Sequence, residues 1–339
     1  MLSRVADSIY WMSRYIERAE NVARFVDVTL NLILDMPIGS VQQWQPLVDT
    51  TGDSDVFARR YGLATQESVV RFLTFDPENP NSITSCLRAA RENARSVREI
   101  ISSEMWEQVN EFYLMVNAAA SDPRALGAPH ALFNGVKMAS HLFAGVMEAT
   151  MTHGEGWHFA RLGLHLERAD KASRILDVKY FLLLPTVHDV GTTYDDIQWA
   201  AVLRSASAFE MYRKRHGRLS PPRIVEFLLL DREFPRAIHW CLLEARSSVH
   251  AISGTPAGMF RTPVEQLLGE VCSELAYAQA DEIVAAGLHE YLDRLQARMN
   301  LIGAGIAETF FSRQLLVPPA AGKAPRSSAR GRRADRSSV

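Results

Sequence analysis

Cysteine is scarce in this chain of 339 residues, which contains three, at positions 86, 241 and 272. Three scattered thiols argue against a disulfide framework and against a zinc knuckle, because both need paired or clustered cysteines. Long apolar runs are also missing, since the longest, YFLLLPTV, is interrupted by Pro185 and a membrane span needs roughly 20 residues. We therefore expect a cytoplasmic protein without a membrane segment.

Recognisable catalytic motifs are missing as well. The chain has no Gly-rich phosphate loop, no nucleophile elbow and no Cys–His dyad in an obvious setting. Its start, MLSRVADSIYWMSRY, carries charge early and lacks the apolar core of a signal peptide. The sequence leaves open whether the protein is an enzyme, and it predicts neither a cofactor nor a metal bound to this chain.

Net charge is small, −2, but it is unevenly distributed. Residues 318–339 contain six Lys/Arg and one Asp, so this tail carries +5 and the rest of the chain −7. With almost no large apolar residue to bury, residues 317–339 are predicted to form a disordered basic tail, which is a solubilising terminus or a contact for acidic partners. The body shows no basic stripe, so we do not expect nucleic-acid binding.

Apolar residues recur at helical spacing through nearly the whole chain. One stripe runs from Ile9 to Ile33, and Met36-Pro37 and Gly39 end that helix. No convincing run of alternating β-branched residues is present, so we predict an all-α fold, a large helical bundle without a sheet. Further helices are predicted near 65–75, 82–102, 104–120, 130–152, 157–183, 194–215, 222–230, 235–251, 263–285 and 287–316.

Two segments of the chain occur twice, in the same order. YIERAENVARFVDV at 15–28 is similar to LHLERADKASRILDV at 164–178. FLTFDPENPNSITSCLRAAR at 72–91 shares ten of twenty residues with FLLLDREFPRAIHWCLLEAR at 227–246. The repetition predicts one folded body, residues 1–316, built by internal duplication from two similar helical halves, about 1–152 and 153–316.

The charged face of the first repeated segment is retained better than its apolar residues. Spacings of three and four residues place these charges on one helix face, and they are Glu17, Glu20, Arg24 and Asp27 in the first copy and Glu167, Asp170, Arg174 and Asp177 in the second. One interpretation is an ion-pair network in which Glu17 pairs with Arg168, and Glu167 with Arg18, across the two halves. The other is a charged pocket for a metal, a peptide amine, a phosphate or a carboxylate.

A second charged segment, residues 90–113, contains Glu92, Arg95, Glu104 and Glu107. Glu104 follows two serines and is also explained as a first-turn residue of a capped helix. The pair Glu155-x-x-His158 is the one match to the ferritin-like di-metal motif, which needs two such pairs. The second pair is absent from the sequence, so we do not predict a di-metal site.

Four long segments resemble the bacterial alpha-E domain proteins, and together they span roughly residues 1–316. They are MLSRVADSIYWMSRYIERAENVARFVDV, ARENARSVREIISSEMWEQVN, EGWHFARLGLHLERADKASRILDVKY and FLLLDREFPRAIHWCL. The resemblance implies an all-helical fold, although Leu164 stands where the family often has an arginine. It also implies a set of charged candidate binding residues: Glu17, Arg18, Glu20, Arg24, Glu92, Arg95, Glu104, Glu107, Glu167, Arg168, Asp170 and Arg174.

The resemblance further implies a setting for the function. Alpha-E proteins are typically encoded beside, or fused to, a circularly permuted ATP-grasp protein, and a transglutaminase-like cysteine peptidase often accompanies them. We therefore expect an accessory or scaffold protein that works with an ATP-grasp ligase-like partner in peptide-bond formation or peptide modification. ATP and Mg²⁺ are then expected only on the partner. The alternative is a helical enzyme that uses the glutamates and arginines as acid–base groups or metal ligands.

Overall fold

The computed structural model describes residues 1–35, 44–122, 125, 129–182 and 193–312. Within these residues the chain forms fourteen α-helices and no strand, which confirms the all-α prediction. Two π-helical turns, Glu226–Leu230 and Ala307–Phe311, extend the eleventh and last helices. The helices are α1 (Ser3–Asp35), α2 (Gln45–Thr51), α3 (Ser54–Tyr61), α4 (Gln66–Thr74), α5 (Ile83–Ser96), α6 (Ser103–Ala120), α7 (His130–Thr150), α8 (Glu155–Leu182), α9 (Thr193–Ser205), α10 (Phe209–His216), α11 (Pro221–Val225), α12 (Ile238–Ser253), α13 (Pro263–Tyr277) and α14 (Ala280–Ile306).

Two long helices, α1 and α8, run parallel through the centre of the molecule. Near their N-terminal ends Gly163 packs against the backbone of Tyr10. About two turns later Glu17 pairs with Arg168, and the C-terminal parts of both helices line the same small apolar pocket. Helix α1 is therefore enclosed on nearly all sides. Most of its apolar residues from Ile9 to Val26 are buried, and so are the charged residues Glu17, Glu20 and Arg24, while Arg14 and Arg18 are partly buried.

The remaining helices surround the central pair in the same order in each half. In the first half, helix α1 contacts α5 and α7, and α6 packs against α5 and α7. In the second half, helix α8 contacts α12 and α14, and α13 packs against α12 and α14. The short helices cross between halves, since α2 packs on α8 and α9 packs on α1. This matching order is what an internal duplication requires, although the duplication itself stays a prediction.

Several helix boundaries differ from those predicted. Helices α2 and α3 were not predicted, because each has eight residues or fewer and so is too short for a clear helical period. The predicted helix 194–215 is divided into α9 and α10 at Ser207, which has a φ of 52°. The predicted helix 263–285 ends early, at Tyr277, and the expected break near 287 is a kink inside α14, where Gly287 has a φ of 109°.

Two sequence-based expectations concern the tail and membranes. The predicted disordered tail, 317–339, lies outside the described residues. Within the described residues, no helix combines the length and the apolar character needed to cross a membrane. The cytoplasmic location stays a prediction.

The close contact of α1 with α8 predicts that Gly163→Ala strongly destabilises the protein. A Cβ atom on Gly163 would lie 2.3 Å from the carbonyl oxygen of Tyr10, and backbone cannot move aside as a flexible side chain can. We expect the free energy of unfolding to fall by about 3 kcal/mol or more in urea denaturation. The control is Gly145→Ala in α7, where a Cβ meets nothing within 4 Å and helix propensity predicts a gain of about 1 kcal/mol. Equal effects of both substitutions would contradict the close packing.

Candidate functional site

The repeated Glu-Arg dipeptides meet at the interface of α1 and α8 and exchange partners. Arg168 donates from Nε and Nη2 to the two carboxylate oxygens of Glu17, at 2.9 and 2.8 Å. Arg18 donates in the same way to Glu167, at 2.7 and 3.0 Å. Both carboxylates are buried, and both pairs have the planar two-bond geometry that favours arginine over lysine. The predicted cross-pairing is confirmed, and these four residues are called the central exchange below.

A second arginine reaches each carboxylate of the central exchange. Arg14 donates from Nε to Glu167 at 2.8 Å, and Arg236 donates from Nη1 to Glu17 at 3.1 Å. Sequence reasoning missed both residues. Arg14 was detectable, because it lies four residues before Arg18 and therefore on the same helix face. Arg236 precedes α12, and its counterpart in the first copy is Asn81, so retention of charge between the copies did not mark it.

The two second arginines come from different places because the halves differ. In the alignment of repeated segments Arg14 matches Leu164, and Arg236 matches Asn81. Asn81 instead accepts a 2.7 Å hydrogen bond from Arg18. The arginine absent at position 164 is thus replaced by one at position 236, and each buried carboxylate still has two guanidinium partners.

One turn farther along α1, Glu20 is buried between two arginines. It accepts hydrogen bonds from Arg24 on its own helix and from Arg236 Nη2, the latter at 2.8 Å. Burial alone would raise the pKa of Glu20, but Arg236 and Arg24 outweigh this effect and hold the pKa below its ordinary value. The carboxylate therefore stays ionised at neutral pH.

The matching acid on α8, Asp170, has a different set of partners. Arg174 donates to it from Nε at 3.0 and 3.1 Å, and Lys171 Nζ lies 3.2 Å away. Burial opposes ionisation of Asp170, yet the two cations lower its pKa. The pKa of Glu167 is likewise held well below its usual value by Arg18, Arg14 and Lys171, against the effect of burial.

Four of the predicted site residues do not join this centre. Glu92 pairs with Arg91 and Arg95 on the surface of α5. Glu104 and Glu107 are exposed on α6. Glu104 lies in the first turn, after the capping residue Ser102, as the alternative interpretation stated. The structure brings together the other eight candidates and leaves these four accessible to a partner.

The last acids of the repeated segments, Asp27 and Asp177, each contact a histidine. Asp27 lies 2.7 Å from His130 Nδ1 and also accepts a 2.7 Å hydrogen bond from Lys137. Asp177 lies 2.8 Å from His289 Nδ1. Sequence reasoning did not connect either histidine with its acid, because they lie 103 and 112 residues apart in the chain. The stripe of charge on α1 and α8 therefore has protein partners along its whole length.

Comparison with known proteins gives a family but no described activity. The Alpha-E family model, described as a predicted alpha-helical domain with a conserved ER motif, matches residues 1–311. Uncharacterized proteins of Mycobacterium tuberculosis and Mycobacterium bovis are 25% identical over 340 residues, which cover 93% of this chain and 37% of each relative. The chain thus spans little more than a third of the length of the curated relatives it matches. No solved structure gives a significant match.

The burial of Glu17 predicts that Glu17→Gln destabilises the protein. The change leaves the guanidinium group of Arg168 without its buried counter-charge and Arg236 with Glu20 alone, so we expect the free energy of unfolding to fall by about 3–5 kcal/mol in urea denaturation. The control is Glu92→Gln, whose side chain is 47% exposed, with a change expected within about 0.5 kcal/mol. An unchanged midpoint for Glu17→Gln would mean that the charged face is solvated.

The unequal supply of arginines predicts a compensating pair of substitutions. Arg236→Asn is expected to lower the free energy of unfolding by about 3–5 kcal/mol, because Glu17 and Glu20 both lose a partner. Adding Leu164→Arg should restore part of that loss, since it copies the position of Arg14. In the unaltered protein Leu164→Arg should destabilise, because it adds a buried positive charge. A double-mutant cycle measures the coupling; equal effects of Leu164→Arg in both backgrounds would contradict the proposed equivalence.

Proposed function

The chain belongs to the Alpha-E family, and from this premise we propose that it is an accessory or scaffold protein. Its partner is a circularly permuted ATP-grasp ligase-like protein, and the shared task is the formation or modification of peptide bonds. ATP and Mg²⁺ are bound by the partner in this proposal, and a transglutaminase-like cysteine peptidase belongs to the same set of proteins. This chain supplies a rigid surface on which the partner or its substrate docks.

The observation that carries the proposal is the double pairing of each buried carboxylate in the central exchange. A general acid or base must reach its substrate and change protonation near neutral pH. Glu17 and Glu167 are 1% and 0% exposed, and each is held by two arginines. Such groups suit the fixing of two helices in one arrangement better than they suit proton transfer, which favours the scaffold over the enzyme.

The cysteines support the same preference. All three are buried, and burial raises the pKa of Cys86 and Cys241 to about 12 and that of Cys272 to about 11. Thiols with such pKa values are protonated at neutral pH, whereas a cysteine nucleophile reacts as the thiolate. A thiol-based reaction centred on these residues is therefore disfavoured.

The relatives and the surface both support a partner. The matched region is 37% of each mycobacterial relative, so in those proteins the region similar to this chain is joined to other sequence. In the present chain, Glu92 and Arg95 on α5 and Glu104 and Glu107 on α6 are exposed. Exposed charges outside the paired centre are available for contact, so we place the docking surface on α5 and α6.

The experiment is a binding and activity test with the circularly permuted ATP-grasp protein from the same genome. We expect calorimetry to detect a complex of the two proteins. We also expect ATP turnover and peptide product to appear only when the ATP-grasp protein is present. Replacing Glu104 and Glu107 by Lys should weaken the complex at least about 10-fold without changing the thermal midpoint of the chain. The control is Glu270→Lys on α13, the matching helix of the other half.

Each outcome decides between the two functions. Loss of binding in the α6 variant but not in the α13 control supports the scaffold. Failure of the two proteins to associate at about 100 μM, or ATP-independent turnover of a substrate by this chain alone, would overturn the scaffold proposal. Turnover that is lost in folded Glu17→Gln would instead support the enzyme.

A further inference from the structure

We propose that Asp177, His289 and Asp293 bind one divalent transition-metal ion of the Zn²⁺ type, where α8 meets α14. His289 Nδ1 lies 2.8 Å from Asp177 Oδ1, and His289 Nε2 lies 3.5 Å from Asp293 Oδ2. One ligand atom from each side chain lies within 4.8 Å of the other two. Zn²⁺ binds imidazole nitrogen and carboxylate oxygen at about 2.0–2.2 Å. Because the two acids face different nitrogens of the ring, the imidazole or a carboxylate must rotate to bring one nitrogen and both carboxylates onto one ion.

The corresponding place in the first half is neutralised by a lysine. There Asp27 contacts His130 and also pairs with Lys137 Nζ at 2.7 Å. Lys137 follows His130 by seven residues, and the same step from His289 leads to Gln296. The cation that balances the acid between α1 and α7 is therefore replaced by a neutral amide between α8 and α14.

The second half also gains negative charge at this place. Asp293 stands four residues after His289, where the first half has Asn134. Among the described residues, neither Asp177 nor Asp293 forms an ion pair with a lysine or arginine. With a neutral imidazole the site carries two negative charges, and a divalent cation balances both.

Gln296 is an independent observation that points to a ligand. Its side chain is nine-tenths buried, and its Nε2 is enclosed without a hydrogen-bond partner. Its amide faces the carboxylate of Asp177, close enough to favour the ionised form of that acid, although no hydrogen bond of ordinary geometry joins the two groups. A half-turn of the amide group exchanges the positions of its nitrogen and oxygen. Oε1 is then directed to the ion, and Nε2 leaves the enclosed position in which it has no partner. Gln296 then becomes the fourth protein ligand.

Four protein ligands make a closed site of the structural kind, in which the ion joins two elements. Here it joins α8 to α14, as Lys137 joins α7 to α1.

The test is calorimetric titration of the chelator-treated full chain with ZnCl₂, together with thermal melts. We expect one Zn²⁺ per chain, a higher thermal midpoint with Zn²⁺, and no comparable effect of Mg²⁺, which prefers oxygen ligands and retains its water. His289→Ala and Asp293→Asn should each weaken binding by about 100-fold. Gln296→Lys, which copies the lysine of the first half, should abolish binding while the midpoint in chelator is kept.

The matched control is His130→Ala in the first half, which should leave the affinity for Zn²⁺ unchanged. Because Asp293 is exposed, its variant is expected to fold even if Gln296→Lys does not. The proposal is overturned if the unaltered chain shows neither heat nor a midpoint shift at about 1 mM Zn²⁺. It is also overturned if binding survives in both His289→Ala and Asp293→Asn, which would assign the ion to other histidines.

Discussion

The reciprocal pairing of Glu17 with Arg168 and of Glu167 with Arg18 is the constraint on which the rest of the structure depends. Each central helix supplies the acid that the arginine of the other requires. A shift of either helix by one residue would leave buried charges without partners. The free-energy cost of an unpaired buried charge is much larger than the net stabilisation that a buried pair contributes. The exchange therefore fixes the register and direction of α1 against α8, while apolar burial supplies the driving force.

The surrounding helices take their positions from this centre. The segment before α12 is held against α1 by Arg236, and the segment before α5 is held by the hydrogen bond from Arg18 to Asn81. At the other end, the missing side chain of Gly163 allows the two backbones to approach. Polar contacts thus tie the bundle at the places where packing of apolar side chains alone would permit several arrangements.

Much of the charged centre could be predicted from the sequence, because its charged residues occur in two similar segments, 15–28 and 164–178. Retention of charge between the two copies indicated Glu17 and Glu167, and the relation between the copies offered the cross-pairing as one of two interpretations. Arg236 could not be found in this way, because its copy is an asparagine and it contacts a glutamate 219 residues away. The outer candidates Glu104 and Glu107 were included because of the charged segment 90–113 and the family resemblance. Tertiary packing, which the sequence does not display, leaves them on the surface.

The parallel arrangement of the central helices has a consequence for synthesis of the protein. Helix α1 is synthesised before α8 and α12, and the partners of Glu17 follow it by 151 and 219 residues. Most helical proteins fold quickly through local contacts, but here the first helix must keep its carboxylates in water until the second half has left the ribosome. The N-terminal helix is consequently enclosed late, and the nascent chain depends on its other helices to limit aggregation during that interval.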